Sequence, residues 1–363
     1  MRAIGFPLIY RQGQNLIEQL GEYCRVFGKK GFVVSDSFIR ETYGEKLSSS
    51  LKKKEIETVF ARFSGETFPD ELSRLSEECI YHSCDFVVGF GGGKSQDAAK
   101  VVKKATGVPV VIIPTIASND AATSRLAITY SKEGDFLGPV FLDTNPDAVF
   151  VDTNIILNAP VRFFIAGIGD ALATFFEADQ CRLSGVSNFF GGKPTETAYA
   201  IAEKCYEIIR NEAEKAVDSL KKRELNGALE KVIEANVLLS GLGFEGCGVA
   251  AAHAISQGFT LIQELKGNLH GEEVGVALLS QFVLEGRSEE FILNMFDFYS
   301  RIGLPSSLRA LGLSDPSEDD MATIAGFACR ENSRIYNMNI KVDSGSVIQA
   351  LNKIEELSRK IAN

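Results

Sequence analysis

Over roughly the first 150 residues, short apolar runs alternate with stretches whose apolar positions recur every three or four residues. The apolar runs at 31–35 (GFVVS), 58–63, 86–90 (FVVGF), 110–113 (VVII) and 148–152 (AVFVD) predict strands. The stretches 37–53, 69–82 and 95–106 between them predict helices. Strands alternating with helices predict a parallel sheet covered on both faces. Residues 126–130, a Lys-Glu-Gly-Asp turn at 132–135 and residues 140–142 predict a hairpin set into this order. From about Pro160 the period changes, and 198–209, 228–242, 276–284 and 347–361 all predict helices. Breaks fall at 191–194 (GGKP) and 313–320 (LSDPSEDD), the second carrying a helix-start signature. The expected architecture is an α/β domain over residues 1–159 followed by an all-α domain over 160–363.

Composition narrows the function classes. The 363 residues are 45% hydrophobic and 24% charged, as in ordinary folded proteins, with a net charge of −10. An acidic chain offers no general electrostatic reason to bind nucleic acid, which requires Lys and Arg gathered on one face. The N-terminal MRAIGFPLIYRQG lacks a signal-peptide core, and the apolar runs are too short to cross a bilayer. The expectation is a cytoplasmic protein with neither a nucleic acid nor a membrane partner. Seven cysteines without CxxC spacing predict reduced, mostly buried thiols.

Two regions carry candidate chemistry. The turn Gly91-Gly92-Gly93 follows a predicted strand and opens a predicted helix. Such a turn lets backbone approach a pyrophosphate, and the helix start offers free N–H groups; a tight structural turn is the equally open alternative. Asp36 ends a strand, where a carboxylate accepts from ribose hydroxyls and repels a 2′-phosphate, or else caps the next helix. The segment 114–120 (PTIASND) is dense in small hydroxyls and stands where parallel sheets bind ligands. In the second half, Asp170 lies among small and apolar residues, His253 on an apolar small-residue helix, and His270 beside a glycine. Two imidazoles and a carboxylate suit a three-ligand metal site with an open position, or a buried hydrogen-bonded cluster; the spacing alone does not decide.

Taken together, these segments resemble the iron-containing alcohol dehydrogenase superfamily and, within it, the glycerol dehydrogenase family. The resemblance rests on GGGKSQD at 91–97, PTIASND at 114–120, GIGDALATFFEA at 167–178, AAAHAI at 250–255 and HGEEV at 270–274, and spans nearly the whole chain. It implies a dinucleotide-binding α/β domain, a helical domain, and NAD-linked oxidation of glycerol to dihydroxyacetone, or of a related vicinal diol. It also implies one divalent metal held by Asp170, His253 and His270. NAD would contact Asp36, Gly92, Gly93, Lys94, Asp97, Thr115, Ser118, Ser124, Leu126 and Tyr130, with Asp120 facing the polyol. The iron-dependent branch carries a histidine four residues after the aspartate, where this chain has Thr174; zinc is therefore favoured over iron or manganese. Residues Asn119, Ser256, Gln257 and the segment 264–269 (ELKGNL) depart from the family pattern near the expected site. Related activities that the resemblance brings along are sn-glycerol-1-phosphate dehydrogenase, for which Arg125 or Lys266 would bind phosphate, and a 3-dehydroquinate synthase-like lyase. The partner is a small polyol or hydroxyketone, and the family implies a homo-oligomer, often an octamer.

Overall fold

The computed structural model describes residues 1–362. The chain folds into two compact units, one of residues 5–159 with 223–225 and the other of 1–4, 160–222 and 226–363. The division at 159/160 falls where the hydrophobic period changes. Two short segments depart from it. Residues 1–4 join the helical unit through backbone bonds with Lys193, and Arg223 joins the α/β unit by donating to Ala159 O at 3.0 Å.

The α/β unit contains eight strands: β1 Ile9–Gly13, β2 Lys30–Ser35, β3 Glu57–Arg62, β4 Phe86–Gly91, β5 Val110–Pro114, β6 Leu126–Tyr130, β7 Phe136–Phe141 and β8 Ala148–Asp152. Six form a parallel sheet in the order β1-β8-β5-β4-β2-β3. Val33, Val88, Val111 and Phe150 from its middle strands are buried in one core. The chain leaves β2 on one side to form β3 and returns on the other to form β4. The direction of winding therefore reverses between β2 and β4, and ligands of open α/β sheets bind beyond the carboxyl ends at such a point. Strands β6 and β7 pair antiparallel as the expected hairpin, with β7 starting at Phe136 rather than near residue 140. Edge strand β1 has no sequence signal comparable to the others, because half its residues (IYRQG) are polar and none is fully buried.

The helical unit begins with Val161–Ser184 and ends with Ser344–Ala362. The periodic stretch at 228–242 is helical throughout, but Ala235–Leu239 between Gly227–Glu234 and Ser240–Cys247 makes one π turn. Ser317 and Asp320 form a capping box at the start of Glu318–Ala328, as the sequence signature predicts. No single helix is long and apolar enough to cross a membrane.

Candidate metal centre and nucleotide-binding turn

Two helices of the second unit are locked together by backbone contact before any side chain takes part. A Cβ on Gly271 would stand 1.8 Å from Ala166 O, and one on Gly169 would stand 2.2 Å from Gly271 O. Helices Val161–Ser184 and His270–Leu284 therefore touch through glycines at positions adjacent to Asp170 and His270. That proximity explains a histidine next to a glycine, and an acid between small residues. Arg162 reinforces the crossing by holding Glu272 with bonds of 2.6 and 2.7 Å, while Glu272 also accepts from Leu269 N at 2.9 Å. His270 is thereby fixed as the first residue of its helix.

A third helix, Ala251–Phe259, has no side-chain cap of its own. Its leading N–H groups are satisfied by side chains from the other two helices. Glu177 accepts from Ala250 N at 2.8 Å and from His253 N at 2.9 Å, and Gln281 accepts from Ala252 N at 2.9 Å. Glu177 also accepts from His253 Nδ1 at 2.5 Å. With Nδ1 directed at Glu177, Nε2 is the ring nitrogen that faces Asp170.

Asp170 Oδ1 lies 3.5 Å from His253 Nε2 and 3.6 Å from His270 Nε2. One donor atom from each of the three residues lies within 4.8 Å of the other two. Two ligands sharing a tetrahedral metal at bonds of about 2.0–2.1 Å are separated by roughly 3.3–3.4 Å. The observed spacings are long for hydrogen bonds and close to that separation. Asp170 and Glu177, two helical turns apart, are both buried and both face His253. Two carboxylates in that setting call for a cation. Burial opposes a charge on His253, yet the carboxylates of Glu177 and Asp170 hold its pKa well above the ordinary histidine value. At His270, whose side chain is 46% exposed, partial desolvation outweighs the attraction of Asp170 and the pKa is lowered. The donor set fits one divalent metal. Thr174 does not extend it, because its Oγ1 is paired with Ser240 Oγ at 2.9 Å beside the π turn.

In the α/β unit, the glycine turn connects β4 to helix Gly93–Thr106, which starts two residues earlier than the apolar period implies. Asp36 caps helix Ser37–Lys52 by accepting from Ile39 N at 2.9 Å. Its other oxygen borders the turn, since a Cβ on Gly91 would lie 3.7 Å from Asp36 Oδ2. The cap and the ligand-facing position are thus compatible. The segment after β5 lies across the turn: a Cβ on Gly92 would stand 3.1 Å from Ile116, and one on Gly93 would stand 3.0 Å from Asn119 Nδ2. Thr115 donates its N–H to Gly91 O, and both Thr115 and Ser118 are buried. Lys94 pairs with Glu66 at 2.5 Å and lies over the Tyr130 ring.

Four of the sequence-predicted residues have structural contacts here. Asp97 is buried, binding Lys100 Nζ at 3.2 Å and accepting from Ile128 N at 3.0 Å. Lys100, a fully buried cation that no sequence motif singles out, also donates to Leu126 O at 2.7 Å and reaches Ser124 Oγ at 3.5 Å. These bonds fasten the hairpin to helix Gly93–Thr106. Asp120 lies inside a small turn in which Asn119 Oδ1 accepts from Ala121 N at 3.2 Å. Glu177 is the other residue sequence reasoning missed. It stands seven residues after Asp170 on helix Val161–Ser184, within the segment 167–178 that carries the family resemblance.

Residues 7–153 match the family model for iron-containing alcohol dehydrogenase. A glycerol dehydrogenase of Thermotoga maritima is 41% identical over 359 residues, covering 99% of this chain and 98% of that protein. A glycolaldehyde reductase of Halobacterium salinarum is 37% identical over 98% of this chain and 97% of its own. The crystal structure of a probable glycerol dehydrogenase from Sinorhizobium meliloti superposes with a TM-score of 0.94 at 38% identity, covering 99% of this chain and all of that one.

Proposed function

Since the chain belongs to the iron-containing alcohol dehydrogenase family, in its glycerol dehydrogenase branch, and is an NAD-dependent polyol dehydrogenase, we propose that it oxidises glycerol or a close vicinal diol to the hydroxyketone with zinc held by Asp170, His253 and His270. The observation that carries this reading is the convergence of those three donors, with Glu177 seated behind His253. Residues 160–363 are then the metal-binding domain and 1–159 the NAD-binding domain.

A divalent cation at the triad supplies Lewis acidity, which lowers the pKa of a hydroxyl within its reach. The chain's own residues do the positioning. Glu177 keeps the His253 Nδ1 hydrogen in place, so that Nε2 is available as a ligand. Asp170 contributes the negative charge that offsets the cation. The N–H groups opening helix Gly93–Thr106 anchor the coenzyme pyrophosphate at Gly92 and Gly93. Asp36 receives the adenosine ribose hydroxyls and disfavours a 2′-phosphate, selecting NAD over NADP. Lys94, Thr115, Ser118 and Tyr130 line the same turn, while Asp97, Ser124 and Leu126 hold the hairpin beside it. Asp120 hydrogen-bonds the polyol. NAD bound at this turn would supply the acceptor for the hydride of the substrate carbon, and the hydroxyl proton would leave to solvent.

A three-residue donor set, with Thr174 engaged by Ser240, supports zinc. The neutral diol is favoured over glycerol phosphate by the glycerol dehydrogenase relatives, and of the two cations the phosphate reading would use, Arg125 donates to Leu142 O at 3.0 Å and lies over the Phe141 ring while Lys266 is exposed. The test is NADH formation at alkaline pH from glycerol, 1,2-propanediol, 2,3-butanediol and glycerol 1-phosphate, with metal content measured on the same samples. Chelator-sensitive oxidation of a neutral diol, restored by zinc, is the expected result. Protein that retains stoichiometric metal after His253→Ala would sink the ligand assignment.

A further inference from the structure

Helix Ala251–Phe259 is buried along most of its surface, and its two partly open residues are His253 and Gln257. They stand one turn apart on the same face, about 6 Å along the axis. The Gln257 amide is not free to rotate. Arg330 Nη2 donates to Gln257 Oε1 at 2.6 Å, and a guanidinium only donates, so the amide oxygen is committed to Arg330. Gln257 Nε2 has no hydrogen-bond partner among the described residues. Arg330 is itself immobilised, donating to Phe327 O at 2.8 Å and resting 3.9 Å over the Phe327 ring. No carboxylate among the described residues pairs with it, so its charge is uncompensated and polarises the amide it holds.

Resting on the polyol reading above, we propose that Gln257, oriented by Arg330, is the group that reads the third oxygen of the substrate. A vicinal diol engages the triad with two neighbouring oxygens. A third hydroxyl on the next carbon extends away from His253 along the only open face of its helix, where an amide N–H₂ and the remaining guanidinium N–H groups offer donors alone. The subsite therefore selects a substrate with an acceptor oxygen on its third carbon. This also gives a physical role to one of the departures from the family pattern, because glutamine is long enough to meet both Arg330 and a substrate.

Glycerol and 1,2-propanediol differ by that one hydroxyl, so the ratio of their KM values isolates the contact. Gln257→Leu should raise the ratio of glycerol KM to propanediol KM by about three- to tenfold, the loss expected for one hydrogen bond, with kcat for either diol changed far less. Gln257→Met removes the amide altogether while keeping a flexible side chain of similar length, so it should shift the ratio in the same direction and covers the case of a leucine variant that does not fold. Arg330→Met should produce a smaller shift, since the amide regains freedom. A merely structural tie between Gln257 and the 327–330 turn would lower thermal stability and alter both diols alike. An unchanged KM ratio in both Gln257→Leu and Gln257→Met overturns the proposal. A wild-type enzyme that oxidises neither diol overturns the functional reading beneath it, which is a separate and visible outcome.

Discussion

Glu177 shows how much one buried side chain decides in this protein. It accepts three hydrogen bonds, all from the segment 250–253, and so fixes both where helix Ala251–Phe259 begins and which nitrogen of His253 is available. Replacing it with glutamine preserves volume, but turns one acceptor oxygen into an N–H₂ that faces other N–H groups. Buried donors facing each other are costly, and outer partners of metal ligands typically contribute 10–100-fold in affinity. Glu177→Gln should therefore lose metal to a competing chelator at about 10–100-fold lower chelator activity than the wild type, read by metal analysis after equilibrium dialysis. A variant that holds metal as tightly would show that Glu177 only caps the helix. Among single residues the sequence is informative where chemistry is unusual. Asp170, His253 and His270 stand out because polar groups there interrupt apolar surroundings. Glu177, Lys100 and Arg330 do not, since a charged residue on a helix is ordinary until its partners are known.

At the scale of elements, strands with near-continuous apolar runs are legible to within a residue, whereas the helical period at 198–209 marks only part of Glu196–Lys222 and that at 276–284 only part of His270–Leu284. The exceptions have physical causes. Strand β1 is half polar at the sheet edge, and β7 begins in a segment (FLGPVF) whose glycine and proline mask its alternation. The π turn at Ala235–Leu239 keeps a helical period and so leaves no mark in the sequence. Helix His270–Leu284 carries a further consequence. Its Glu273 is buried with no cation beside it, and burial, then the neighbouring Glu272 charge, push its pKa up to about 8. The folded state therefore binds a proton that the unfolded state releases near the ordinary carboxylate value. Stability from this group is fully present at low pH and declines as pH rises from about 4.5 to 8. Glu273→Gln should raise the Tm at pH 8 and leave it nearly unchanged at pH 5, each pK unit corresponding to about 1.4 kcal/mol. Thermal melts of both proteins across this range check it, and an equal gain at both pH values would assign the effect to packing instead.

At the scale of the molecule, the two halves of the chemistry belong to different compact units. The proposed metal donors and their outer partners all lie in residues 160–222 and 226–363, and the proposed coenzyme contacts all lie in residues 5–159. Each unit has its own hydrophobic core. A ligand stabilises the state that binds it by about 4 kcal/mol when present at a thousand times its dissociation constant. Because protection follows the cooperative unit that contains the ligand, zinc and NAD should act on separate parts of the chain. Hydrogen exchange should therefore accelerate on chelation in Val161–Ser184, Ala251–Phe259 and His270–Leu284, while β2, β4 and helix Gly93–Thr106 stay nearly unchanged. NAD added to the chelated protein should slow exchange in the glycine turn without restoring the three helices. The physical basis is that Asp170 and Glu177 are buried carboxylates that a bound metal would compensate, whereas the glycine turn is held by Thr115 N–H and Gln96 Nε2 donating to Gly91 O without any coenzyme. Chelation that loosened both units equally would mean that the triad's cation stabilises the chain as a single cooperative body.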